Sequence, residues 1–296
     1  MNETGYSMMN KRLIGAVLLG VAVALVAFVA IHAGAVLADQ PRPWEMTMQE
    51  SATPVHDRLT TLHNWILVLI TLITLFVLGL LLYTMSRFRA SRSPTPTRTA
   101  HNTVLEVAWT AIPIVILVLL AIPSLRLLYF QDRTHEAGLT LKVTAYQWYW
   151  GFEYPDQNGV QIESRLVRDE DLRAGQVRLL EVDNRAFVPV NTNIRVLVTS
   201  NDVIHSFFVP ATGVQVYGIA GRTNETWLNF ERPGVYRGQC NQICGLDHGY
   251  MPLVIEAVSR EQFDRWVAQQ RAAAAETPRP QLAAVPDSAA SDANAR

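Results

Sequence analysis

The sequence predicts a membrane-anchored all-β protein: a two-helix transmembrane hairpin, then a Greek-key β-sandwich or barrel, then a C-terminal helix. Three observations predict it. Two apolar runs, residues 65–85 and 107–130, are each long enough to cross a bilayer of ~30 Å as a helix, and neither carries a polar stripe. From residue 139 to 258 the pattern changes to short runs rich in β-branched and aromatic residues, punctuated by turns. Then "SREQFDRWVAQQRAAAA" reads as a helix, with Ser259 and Gln262 as a capping pair and Phe263 and Trp266 on one face.

The chain opens with Lys11 and Arg12 before an apolar stretch that ends in "VLADQ". Residues 1–38 therefore read as a secretory signal cut after Ala38, with an uncleaved anchor as the alternative. A segment over 39–62 leads into the hairpin, 63–131, with helices expected at about 64–86 and 105–130. Pro113 and Pro123 would break a soluble helix but are tolerated in a membrane span. The connecting loop holds Arg87, Arg89, Arg92 and Arg98 and no acidic residue, so it belongs on the cytoplasmic side of a bacterial inner membrane. Everything after Phe130 then lies on the outer, oxidising face. The β domain is expected over 132–258, the last helix over 259–275, and a Pro/Ala/Ser-rich disordered tail over 276–296. With 25 basic and 26 acidic residues, the chain has no nucleic-acid-binding character.

The chain has two cysteines, both in "GQCNQICGLDHGYMPLV". Cys244, His248 and Met251 follow the thiolate, imidazole, thioether order of a copper-binding loop, and His205 on "VIHSFFVP" supplies a second imidazole. Two His, one Cys and a weak Met on a β-sandwich make a copper ligand set of cupredoxin type. Cys240 is one thiolate too many for a single ion. Two thiolates on one loop can instead bridge two copper ions, each also taking one imidazole, with Met251 and the backbone carbonyl of Gln242 completing the set. A Cys240–Cys244 disulfide suits the compartment but leaves His205, His248 and Met251 unexplained. Zinc prefers a tighter cysteine pair and has no use for a thioether.

With these residues in view, the chain resembles subunit II of the bacterial haem-copper cytochrome c oxidases. The resemblance runs through "LEVAWTAIP", "YQWYWGFEYP", "LLEVDNR", "NDVIHSF", "AGRTNETW" and "CNQICGLDHGYMP". It implies a cupredoxin-like domain holding a dinuclear copper centre, CuA, on His205, Cys240, Gln242, Cys244, His248 and Met251. The centre would take electrons from cytochrome c and pass them to haem in subunit I, where oxygen is reduced to water and protons are pumped. Subunit III and membrane lipid are further implied partners.

The resemblance also assigns residues outside the ligand set. Trp148 matches the exposed aromatic where electrons arrive, although strand alternation makes at least one of Trp148, Tyr149 and Trp150 a core residue. Glu153, Asp156, Asp183 and Asp202 match acidic positions that would guide cytochrome c to it. Glu106 matches a glutamate near the mouth of a proton-uptake channel, or simply favours its helix N-terminus. Arg185 and Arg222 match positions directed at haem propionates, a role suited to buried arginines lacking carboxylate partners. The family usually has glutamate at Gln242, whose side chain helps hold an interface magnesium, so that ion is in doubt here. Gln215, Tyr217 and Ala220 depart from the same region's commoner lysine, aspartate and proline. Competing readings are a quinol-oxidase subunit II, which lacks the copper ligands, and a membrane-anchored copper carrier, which would need neither "QWYW" nor Glu106.

Overall fold

The computed structural model describes residues 40–276, apart from 93, 94, 96, 97, 99 and 135. The signal segment and the tail beyond 276 lie outside these. The described chain runs through two long helices, α1 (Pro54–Arg87) and α2 (Thr103–Asp132), then ten strands and a last helix, α3 (Arg260–Glu276). Both long helices are apolar along lengths sufficient to span a bilayer, with side chains almost all exposed. Exposed Leu, Ile and Val over several turns is stable only where the solvent is itself apolar.

α1 starts well before its apolar run because its N-terminus is built into the β domain. Thr53 caps it, its hydroxyl oxygen accepting from the His56 N–H, and Pro54 occupies the first turn. The Thr53 hydroxyl donates to the Thr212 carbonyl at 2.7 Å, and Ala52 exchanges backbone bonds with Ala211 and Glu231. His56 is buried against Gly213, where a Cβ would lie 3.1 Å from the His56 Cα and a φ of +67 would strain any side chain. α2 ends on the same domain: the Trp227 indole N–H donates to the Phe130 carbonyl at 3.3 Å, and the two rings meet edge to face. The anchor and the β domain are thus joined by buried contacts as well as by the chain.

The strands form a five-stranded sheet ordered β3-β2-β1-β5-β8, a three-stranded sheet β4-β10-β9 and the pair β6-β7. These comprise β1 (Leu139–Tyr146), β2 (Tyr149–Tyr154), β3 (Val160–Ser164), β4 (Ala186–Pro189), β5 (Ile194–Ser200), β6 (His205–Val209), β7 (Val214–Gly218), β8 (Asn224–Leu228), β9 (Gly234–Gln239) and β10 (Pro252–Val258). Most pairings are antiparallel, but β1–β5 and β4–β10 are parallel. Strands distant in sequence come together there through crossovers, which an unbroken up-and-down order would not allow. Along β1 every second residue is buried, so Leu139, Leu141, Val143 and Ala145 face the core with Trp150, Phe152 and Tyr154 of β2. α3 closes the bottom with Phe263 and Trp266. Its predicted capping pair is present: Gln262 Oε1 accepts from the Ser259 N–H, and Ser259 Oγ from the Gln262 N–H.

β6 and β9 cross closely at Gly238. A Cβ there would lie inside contact distance of the Phe208 carbonyl and 3.0 Å from Val209. Since β6 begins at His205 and β9 delivers Cys240, this contact sets their separation. Gly238→Ala should therefore destabilise the fold by about 1–3 kcal/mol. Thermal unfolding of the purified protein checks this, and an unchanged midpoint would show that β6 and β9 can separate freely.

Candidate metal centre

β9 ends at Gln239 and β10 starts at Pro252, and these two residues are paired partners. Residues 240–251 therefore close a loop over the end of the barrel, tied at its base by Cys240 N–H to Met251 O at 3.2 Å. Within it, Gly245 takes a φ of +125, and a short 3-10 turn covers His248–Tyr250. His205, at the start of β6, comes in from the side.

The loop brings the donors together. The Cys240 and Cys244 sulfurs lie 3.8 Å apart, both free thiols and both buried, so no disulfide joins them. His205 Nδ1 is 4.0 Å from the Cys240 sulfur, and His248 Nδ1 is 3.5 Å from the Cys244 sulfur. The Cys240 sulfur also sits 3.3 Å from the Gln242 carbonyl. The donor atoms of His205, Cys240 and Cys244 all fall within 4.8 Å of one another. Met251 is buried beside them at the loop's end. Each sulfur thus faces its own imidazole, and both imidazoles approach through Nδ1.

His205 is held in that orientation from behind. Its Nε2 lies 2.8 Å from Asp202 Oδ1, and a carboxylate can only accept, so Nε2 carries the proton and Nδ1 keeps its lone pair for a metal. Burial opposes ionisation of Asp202, but the His205 ring and the N–H groups of Gln147 and Val203 outweigh it and hold its carboxyl below the ordinary range. Burial also resists charge on both thiols. For Cys240, bonds to His205, the Ser206 backbone and His248 overcome it and bring the pKa down to about 6. For Cys244, burial and the neighbouring Cys240 charge act together and push it up to about 12. One thiolate forms readily and the second waits for a cation. Soft sulfur and imidazole donors in a dry pocket fit copper.

Comparisons with known proteins identify the family. Residues 139–258 match the family described as cytochrome C oxidase subunit II, periplasmic domain, and residues 41–127 match its transmembrane domain. The chain belongs to the cytochrome c oxidase subunit II family. A relative named probable cytochrome c oxidase subunit 2 in Rickettsia bellii is 46% identical, over 83% of this chain and 92% of that one. Cytochrome c oxidase subunit 2 of Oenothera berteroana is 43% identical, over 78% of this chain and 92% of that one. The crystal structure of the periplasmic domain of subunit II of cytochrome oxidase from Bradyrhizobium japonicum is 43% identical. It covers 48% of this chain and 99% of that one, with a TM-score of 0.45.

The remaining candidates from the sequence fall in varied places within this family framework. Trp148 is half-buried in the turn between β1 and β2, and its indole N–H donates to the Cys244 carbonyl at 3.3 Å. Trp150 is fully buried, edge-on to the His205 ring, and is the core aromatic that strand alternation required. Asp202 is exposed and is also the partner of His205. Glu153 pairs with Lys142 at 2.9 Å, and Asp183 accepts from the Arg165 N–H. Asp156 accepts from the N–H of Thr140, at the opposite end of β1 from Trp148 and roughly 25 Å away along the strand, so it does not adjoin Trp148.

Arg185 has two carboxylate partners, Glu181 at 2.9 Å and Glu256 at 3.0 Å, so its burial costs no unpaired charge. Arg222 is exposed, in the turn that follows β7, whose last residue Gly218 pairs with His205. Glu106 closes the start of α2, accepting from the Asn102 N–H while Asn102 accepts from Leu105. Gln215 and Tyr217 lie on the exposed face of β7.

Gln147 was missed from the sequence. Its side-chain amide donates to the Cys244 carbonyl at 2.8 Å, and its backbone N–H donates to Asp202 Oδ2 at 2.7 Å. One residue therefore links the His205 support to the ligand loop. Gln147→Leu should leave far-UV circular dichroism unchanged while hydrogen exchange of the 241–250 amides and metal loss both speed up several-fold. Unchanged exchange and metal retention would show that the loop is held without Gln147.

Proposed function

We propose that the chain is the electron-accepting subunit of a cytochrome c oxidase, with a dinuclear copper centre on His205, Cys240, Gln242, Cys244, His248 and Met251. The observation that carries it is the pairing of two buried thiols with two separate Nδ1 atoms. A mononuclear copper site of cupredoxin type would use one sulfur; with two sulfurs, each facing its own imidazole, His205, Cys240, Cys244 and His248 would hold two ions. Bound there, a copper pair supplies a one-electron acceptor whose charge is spread over both metals. The protein keeps the donors in place between redox states, since Asp202 fixes one imidazole and Gln147 and Trp148 hold the loop.

The same reading assigns further roles. Cytochrome c delivers electrons at Trp148, whose indole N–H bonds to the carbonyl of a copper-ligating residue. Asp183 and Asp202, the latter exposed as well as bonded to His205, add negative charge around this approach, while Lys142 offsets Glu153. Electrons pass on to haem in subunit I, where oxygen is reduced to water with proton pumping, and subunit III completes the core assembly. Arg222 lies on the interface side, and Glu106 at the cytoplasmic end borders proton uptake. The arginine-rich loop favours a bacterial inner membrane with the β domain in the periplasm. Gln242 offers a neutral amide where a hard cation would prefer carboxylate, so magnesium binds more weakly than in relatives with glutamate. The copper ligand set disfavours a quinol oxidase.

Anaerobic stopped-flow mixing of the copper-loaded protein with reduced cytochrome c tests this reading. Each chain should accept one electron. Trp148→Phe, which keeps the ring position but removes the N–H link, should slow transfer at least ~10-fold (~1.4 kcal/mol in barrier) with copper content intact. No oxidation of cytochrome c by the fully loaded protein would refute the function, and an unaltered Trp148→Phe rate would move electron arrival elsewhere.

A further inference from the structure

The outer half of the hairpin carries a groove that electron transfer does not use. It lies between α1 and α2 and encloses about 690 Å³, a volume typical of a small-molecule site. Its lining residues recur at helical spacing, Arg58, Leu62, Trp65 and Leu69 on α1 facing Ile116, Leu120, Pro123 and Leu127 on α2. From Arg58 to Leu69 the helix rises roughly 16 Å, about half the ~30 Å hydrocarbon core. The groove therefore spans the headgroup level and the upper part of one leaflet.

Its two ends differ in chemistry. The outer end holds Arg58, Arg126 and Asp57, a net single positive charge. Arg126 is exposed, and neither arginine has a carboxylate partner among the described residues; Arg58 stacks over the Phe130 ring at 3.5 Å. The inner end is aliphatic, lined by Leu69, Ile116, Leu119 and Leu120. Arg126 is also the first charged residue on α2 after the long apolar run that begins at Val107, which sets it at the outer membrane boundary. An apolar transmembrane helix of another subunit would fill the aliphatic end but leave Arg126 without an anionic partner. A molecule that is anionic at the headgroup level and aliphatic below satisfies both ends.

We infer that this groove binds one phospholipid of the outer leaflet, its phosphate between Arg58 and Arg126 and an acyl chain along Leu69, Leu119 and Leu120. The inference rests on the membrane hairpin and is independent of the copper chemistry. It is tested on the protein purified from its native membrane, with whatever subunits accompany it, after exhaustive exchange into mild detergent. Phosphorus analysis and lipid mass spectrometry then count the phospholipid retained. Arg126→Gln removes the phosphate partner, and Leu120→Trp fills the trough while keeping both arginines. Each should retain one phospholipid fewer per chain than the unsubstituted protein, with copper content and thermal midpoint as controls for folding. Retention by either folded variant overturns the inference. So does an electron cryomicroscopy map of the unsubstituted assembly with a protein helix, instead of a headgroup and chain, in the groove.

Discussion

Two sulfurs held 3.8 Å apart in a buried pocket are the constraint on which the site depends. If both were thiolates, their repulsion would be about 4 kcal/mol at an effective dielectric constant near 20. The protein relieves this in part by drawing His205 and His248 close and leaving one proton on the pair. Full ionisation needs positive charge between the sulfurs. A scaffold that keeps two free thiols this close, each beside an imidazole, suits a metal.

That closeness is imposed from outside the loop. Gly238 lets β9 approach β6, setting Cys240 beside His205. The turn between β1 and β2 holds the other side, where Gln147 and Trp148 both donate to the Cys244 carbonyl and the Trp148 ring lies against Gly245. Asp202 connects these parts by accepting from His205 and from the Gln147 backbone. Three segments far apart in sequence are thus tied into one support, and the same turn that exposes an edge of Trp148 to solvent secures a metal ligand. In the proposed function, metal binding and electron entry at Trp148 would share the same hydrogen bonds.

Much of this was legible in the sequence because the relevant signals are local. The spacing of Cys240, Cys244, His248 and Met251, the two apolar runs, and the Ser259–Gln262 pair all lie within a few turns of chain. Trp150 followed from strand alternation. Contacts made at a distance were not legible. Asp202 is a surface acid, as its sequence suggests, but the convergence of β6 and the β1–β2 turn also makes it the partner of His205 and of the Gln147 N–H. Asp156 follows Glu153 closely in sequence but lies past the end of β2, away from Trp148. Arg185 finds one partner in Glu181, four residues before it, and the second, Glu256, comes from β10. The early start of α1 had a readable sign in Thr53–Pro54, a cap followed by proline.

The central claim is that two copper ions share these donors and one unpaired electron. Electron paramagnetic resonance of the oxidised, copper-loaded protein, recorded with the copper-to-chain ratio, tests it most directly. The account predicts two coppers per chain and hyperfine splitting from two equivalent nuclei. A single copper with an ordinary four-line pattern would contradict it, leaving the fold and the family intact but the second thiolate unexplained.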